Sequence, residues 1–209
     1  MKSYVTVKEP AEVELVINKS RFIGRCFPIE SEQDALNLLG ELRKRHWDAS
    51  HNCFAYRVGV NADTARFSDD GEPGGTAGMP IMDVLSAKAL TNVLCVVTRY
   101  FGGVLLGAGG LLRAYSKSAA ESVTQAGVLR MEAAKRVRFS VDYSRYAGLE
   151  RFIRERTQAV LEPAEFAEAV TLTVLIEDAD LEPFLANIIE QTDGRAQPQV
   201  IAEEYLPRL

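Results

Sequence analysis

Hydrophobic residues along the chain alternate between short period-two runs and longer runs at helical spacing, which predicts mixed secondary structure. Residues 4–8 and 12–17 read as extended, and SRFIGRCFPI (20–29) continues a small sheet. Ser31, with Asp34 three residues on, marks a helix start; Ala35, Leu38, Leu39 and Leu42 then recur at helical spacing before the basic end Arg43, Lys44 and Arg45. HNCFAYRVG (51–59) alternates as a strand, and PIMDVLSAKAL opens a short helix with proline near its first turn. NVLCVVTRYF (92–101) is nearly continuous apolar, as a central strand should be. Leu112, Tyr115, Ala119, Val123 and Ala126 define one face of a further helix, which Gly127 ends.

From residue 135 the pattern restarts. RVRFSVDY places Val137, Phe139, Val141 and Tyr143 on one strand face, and Tyr146, Leu149 and Ile153 mark a helix. AVLEPAEF and AVTLTVLIE read as a hairpin; Leu181, Phe184, Leu185 and Ile188 mark a second helix, and PQVIAEEYL a last strand. This is the βαββαβ order of ferredoxin-like domains. The expectation is an α+β protein of two domains, 1–134 and 135–209, and 209 residues with 47% hydrophobic content suffice for two cores.

Charge adds a restriction. The net charge is −5, with 15 basic against 15 acidic residues in 1–134 and 9 against 14 in 135–209. No basic stripe of the kind that grips nucleic acid by its phosphates is present, so such a role needs a local patch. Arg21, Arg25, Arg57 and Arg99 are candidates for one, although arginines on different strands are more often surface pairs. Cys26, Cys53 and Cys95 are odd in number and lie in apolar runs, which reads as buried thiols in a reducing compartment. MKSYVTVKEP has no apolar leader core, and no stretch approaches the ~20 apolar residues of a membrane span. A cytoplasmic protein without a membrane partner is expected.

Two segments carry candidate chemistry. RYFGGVLLGAGGLLRAY (99–115) sets Gly102, Gly103, Gly107, Gly109 and Gly110 between the apolar strand and a helix expected to begin near Gly110. Bare backbone there can approach a ligand, and the first helical amides are unpaired and partly positive, which suits phosphate or carboxylate. Arg113 and, four residues on, Lys117 can add charge to the same anion. The segment is neither a Walker A loop nor a G-x-G-x-x-G fingerprint. The competing reading is a tight crossover in which Leu105 and Leu106 plug the core.

FSDDGEPGGTAGMP (67–80), with four glycines and two prolines, is the second segment, an irregular loop long for a plain connector. Asp69, Asp70 and Glu72 supply carboxylates and Thr76 a hydroxyl; beside an anion-binding loop they are candidate Mg²⁺ ligands. The alternative, a turn at Asp70-Gly71 whose carboxylates face solvent or pair with Arg99 and Arg113, is favoured, and no metal is firmly spelled out. His46, His51 and Cys53 are too few and irregularly spaced for a metal triad. His51 is expected to be hydrogen-bonded at the cleft edge.

HNCFAYRVG, SDDGEPGGTAGMP and RYFGGVLLGAGGLLRAY, in this order and spacing, resemble the IMPACT family in its bacterial YigZ-type form, and the likeness covers the whole chain. The resemblance implies a ribosomal protein S5 domain 2-like fold for the N-terminal domain. For the C-terminal one it implies a ferredoxin-like fold similar to domain V of elongation factor G. It further implies a role in translation, by binding RNA or a ribosome-associated partner; no catalytic activity is attached to the fold. Eukaryotic relatives act through an additional RWD domain that these residues lack, so their partner is not carried over. The family motif covers His51, Asp69, Asp70, Gly71, Glu72, Thr76, Gly78, Pro80, Arg99, Tyr100, the five glycines of 102–110, Arg113 and Tyr115. An enzyme or sensor for a small phosphorylated ligand, with Mg²⁺ at the same cleft, is the alternative.

Overall fold

The computed structural model describes residues 1–208, Arg156 by its backbone alone. The chain forms two compact units, Tyr4–Arg130 and Met131–Arg208, the latter with Met1–Ser3.

In the first unit the elements are β1 (Tyr4–Val7), β2 (Ala11–Ile17), β3 (Ser20–Pro28), α1 (Glu32–Arg45), β4 (His51–Val58), β5 (Thr64–Ser68), α2 (Gly78–Ala87), β6 (Val93–Tyr100) and α3 (Gly107–Ala126). Strands β2-β3-β6-β4-β5 form one sheet with antiparallel neighbours throughout. Asn18 and Lys19, at φ 46° and 64°, make the two-residue turn between β2 and β3, the left-handed pair whose twist suits a hairpin. Strand β6 reads as continuously apolar because both its faces are covered. Val93, Cys95 and Val97 pack with Ile81, Leu85, Tyr115, Ala119 and Val123 of α2 and α3, whereas Leu94 and Val96 pack with Ala35, Leu39 and Leu42 of α1.

Helix α1 begins as expected. The Asp34 amide donates to Ser31 Oγ at 3.2 Å, and the Ser31 amide returns a bond to Asp34 Oδ2 at 2.9 Å. Helix α3 starts at Gly107, three residues before the expected Gly110. Its buried stripe runs through Leu111, Tyr115, Ser118 and Ser122, and Leu112, expected inside, is exposed. The serines disguise this face; their hydroxyls bond the carbonyls of Ala114 and Ala119, so both can be buried. Glycine lets the helix sit down on the sheet. A Cβ at Gly24 would lie 2.5 Å from the Ser118 carbonyl oxygen.

The second unit contains β7 (Val128–Val141), which crosses the boundary between the units, then α4 (Tyr143–Arg156), β8 (Val160–Leu161), β9 (Glu165–Phe166) and β10 (Val170–Glu177). A short 3-10 turn at Asp178–Asp180, α5 (Leu181–Gln191) and β11 (Gln199–Arg208) complete it. The order β11-β7-β10-β8, with β9 also on β10, places the last strand beside the first and the third between first and second. That is the split βαβ arrangement expected of this segment. Val137, Phe139, Leu149, Ile153, Leu172, Val174, Ile176, Phe184 and Ile188 form its core. Tyr143 is exposed, because it begins α4 instead of extending the strand face.

Candidate functional site: a cleft between the acidic loop and helix α3

The two segments singled out in the sequence meet. Gly71, Glu72 and Pro73 of the loop after β5 face Phe101, Leu105, Leu106, Gly107, Ala108 and Leu111 of the glycine segment across a cleft of about 430 Å³, with His51 and Arg99 in its walls. The register explains the pairing of the last two. His51 on β4 lies directly opposite Arg99 on β6, so both project to the side carrying α2 and α3.

Glu72 is the centre of a buried cluster. Its Oε1 receives Arg99 at 2.6 Å and the Tyr115 hydroxyl at 2.7 Å. A charge this buried persists only with such partners. Arg99 also reaches Ser20 Oγ at 3.3 Å and lies 5.5 Å from the Phe101 ring centroid, yet its buried Nε has no hydrogen-bond partner among the described residues. The His51 ring is fixed by Asp70: Nδ1 donates to the Asp70 carbonyl at 2.9 Å. Its Nε2 lies 3.8 Å from Glu72 Oε1.

The acidic loop is held by its own carboxylates. Asp69 Oδ1 accepts the amides of Ala77 and Gly78, and Oδ2 that of Gly75. Burial pulls the Asp69 pKa upward, but these three amides outweigh it and leave the value below the ordinary 3.8. Asp70 Oδ2 accepts the Asn52 amide at 2.6 Å, and the Cys53 thiol donates to the Asp69 carbonyl at 3.0 Å. Burial pushes that thiol up to about 12, so it is a packing and tethering group and not a nucleophile. Thr76 Oγ1 closes a turn onto the Pro73 carbonyl. Asp69, Asp70 and Glu72 thus point to three different sets of donors, and no group of three His, Cys, Asp or Glu among the described residues could hold a metal ion.

The glycines divide by task. Gly102 is a contact position: a Cβ would fall 2.0 Å from the Lys19 carbonyl, and its amide donates to Ser20 Oγ. Gly103 and Gly107, at φ 81° and 68°, turn the chain into the helix in the left-handed region. Gly109 and Gly110 lie in the first turn of α3, where no side chain caps the amides. The Arg113 guanidinium folds back toward that turn, with Nη1 3.7 Å from where a Gly109 Cβ would be. Lys117 instead pairs with Glu121 further along α3, outside the cleft lining. Leu106 packs on the core while Leu105, expected beside it, is 86% exposed at the rim.

Tyr100 departs from the expected set. As the neighbour of Arg99 on a strand it points to the opposite side, where its hydroxyl bonds His46 Nδ1 at 2.8 Å and Asp48 at 3.3 Å. Arg25, only a donor, bonds His46 Nε2 at 2.7 Å, so Nε2 accepts and Nδ1 carries the proton. Burial and then the Arg25 charge hold His46 below its ordinary pKa of 6.5. The four candidate arginines do not form one free patch: Arg21 pairs with Glu14, Arg25 with Glu12 and Arg99 with Glu72, while Arg57 buries an Nη1 that has no hydrogen-bond partner among the described residues. Ser20, which ties Arg99 to Gly102, was not legible beforehand; the Asn-Lys hairpin preceding it was the available signal.

The arrangement defines a class: a two-domain α+β protein whose N-terminal domain presents one partly apolar cleft with an arginine, a histidine and open helix amides at its edges. The Impact N-terminal domain matches residues 18–123, and a domain of unknown function, DUF1949, matches residues 139–195. The chain belongs to the IMPACT family. It is 40% identical over 196 residues to IMPACT family member YvyE of Bacillus subtilis (strain 168), covering 94% of this chain and 90% of that one. Identity is 30% over 205 residues with IMPACT family member YigZ of Escherichia coli (strain K12), 97% of this chain and 100% of the relative. A solved structure described as a hypothetical protein superposes with a TM-score of 0.61 at 30% identity, over 98% of this chain and 100% of the other. Among the described residues no helix is long and apolar enough to cross a membrane.

Proposed function

We propose that the N-terminal domain binds RNA through this cleft and that the protein acts in translation, on RNA or a ribosome-associated partner. One observation carries the reading. The uncapped first turn of α3, the buried Arg99 with its unpartnered Nε, and the exposed ring of Phe101 border the same cavity. Helix amides and a guanidinium attract phosphate, and an aromatic face accepts a base whatever its sequence. Filter binding of single-stranded RNA tests it: affinity should fall with salt, and Phe101→Ala should weaken binding about tenfold. Affinity at low salt no greater than that of an acidic control protein ends the proposal.

The size of the cleft favours a second reading, since about 430 Å³ takes a single nucleotide-sized molecule. A small phosphorylated ligand would put its phosphate at Gly107–Gly110 beside Arg113, with Mg²⁺ brought on the phosphate instead of by a preformed carboxylate cage. Thermal shift with mononucleotides, with and without Mg²⁺, separates the two. Stabilisation by a mononucleotide that is lost in Arg113→Ala, with no gain from longer RNA, replaces the RNA reading by this one.

A further inference from the structure

The chain has one tryptophan, and it is not in a core. Trp47 is 82% exposed in the turn after α1, one residue, His46, beyond Arg43, Lys44 and Arg45 at the helix end. Exposing so large an apolar side chain costs hydrophobic stabilisation that a buried position would have gained. The turn is nevertheless held rigidly. On either side of Trp47, His46 and Asp48 both bond the Tyr100 hydroxyl, and Arg21 lies over the Tyr100 ring at 5.3 Å from its centroid. Three residues on, Ser50 Oγ accepts the amide of Phe101, the aromatic of the cleft. The cleft and the Trp47 turn are therefore joined through the ends of β4 and β6.

The charges around Trp47 are largely uncommitted. Lys44 and Arg45 are exposed and make no ion pair among the described residues, and Arg43 reaches Asp70 at 4.0 Å and lies 6.0 Å from the centroid of the Phe54 ring. The overall charge of the chain supplies no such cations, whereas here three exposed basic residues, followed by the acidic Asp48, stand within four positions of an exposed indole in the sequence. An aromatic platform among unpaired cations is the pattern by which proteins hold single-stranded nucleic acid without reading its sequence. An acidic peptide would use the cations and leave the flat face of the indole idle; a flexible polyanion of planar bases uses both.

We infer that Trp47 with Arg43, Lys44 and Arg45 is a second contact for single-stranded RNA, on the other side of the sheet from the cleft and reached by a strand that passes over the ends of β4 and β6. This rests on the RNA reading of the cleft but concerns separate residues. The full-length protein is titrated with an RNA of about ten nucleotides while the emission of its single tryptophan is followed. Stacking should quench that emission saturably. Trp47→Ala should lower affinity about tenfold and Trp47→Phe should restore most of it. Lys44→Gln with Arg45→Gln should reduce the slope of log affinity against log salt by about 1.4.

Several results overturn the inference. RNA that binds with unchanged emission, and equally well to Trp47→Ala, places the strand elsewhere. If Phe101→Ala abolishes that same binding, the cleft reading survives and only the Trp47 path falls. Absence of any RNA binding removes both. Quenching by polyglutamate and not by RNA assigns the turn to an acidic protein surface. Trp47 touches no core, so the alanine variant should fold, and circular dichroism identical to wild type makes its binding result decisive.

Discussion

The most sensitive residue in the N-terminal domain is Glu72, because its carboxylate is the acceptor for both Arg99 and Tyr115 in a place water scarcely reaches. Removing the charge and keeping the shape, as in Glu72→Gln, leaves Arg99 buried with no anion; a loss of about 3–5 kcal/mol in urea denaturation is expected. Tyr115→Phe deletes one donor from an acceptor that keeps its arginine, and should cost only about 1 kcal/mol. The ordering of these two variants is the check: equal losses would mean that the charge is not what the cluster stabilises. Asp69 makes a pH-dependent contribution of opposite origin. Its pKa lies below 3.8 in the folded chain, so its contribution is complete above the unfolded value and disappears as pH falls through the folded one. Asp69→Asn should therefore be less stable than wild type at neutral pH and converge with it in acid, read as melting temperature against pH.

At the scale of elements, what the sequence disclosed and what it concealed follow one rule: signals carried along the chain were visible and those carried across it were not. The Ser31 cap and the Gly127 stop are local, and both are where the spacing put them. The βαββαβ order of the second domain is a matter of sequence order and was equally legible. Hidden features depend on neighbours in space. Tyr100 was grouped with Arg99 through the family motif, although strand alternation separates them, and Lys117 was grouped with Arg113 by helical spacing, although Glu121 holds it away from the cleft. The loop and the glycine segment could be judged chemically complementary from their composition. Only the pairing of His51 with Arg99 across β4 and β6 makes them one cleft. Glycines at helix-sheet contacts were the least legible of all, since Gly24 looks like a flaw in a strand until Ser118 is seen against it. A methyl at Gly24 must push α3 off β3; Gly24→Ala should cost about 1–3 kcal/mol and shift the thermal midpoint, whereas Gly40→Ala, where nothing lies within 4 Å of the added Cβ, should be neutral or slightly stabilising.

For the whole molecule, the excess of acidic residues past position 135 acquires a structural place. Arg136 bonds Glu204 and Glu162, Lys135 bonds Glu203, Arg138 bonds Glu165 and Arg208 bonds Glu177, so the basic residues of that domain's strands are committed to carboxylates across its own sheet. Lys44 and Arg45 at the end of α1 have no such partner among the described residues. Each domain also has its own core. A substitution confined to one core should then leave the other unaltered to the extent that the domains unfold as separate units. Ile176→Ala, at a fully buried position of β10, removes about 2–5 kcal/mol of packing from the second domain. Hydrogen exchange followed by mass spectrometry should show faster exchange across Val170–Glu177 and unchanged protection across Val93–Tyr100. Protection lost equally in both strands would mean that the two cores unfold as one, and that the N-terminal domain depends on its neighbour for stability.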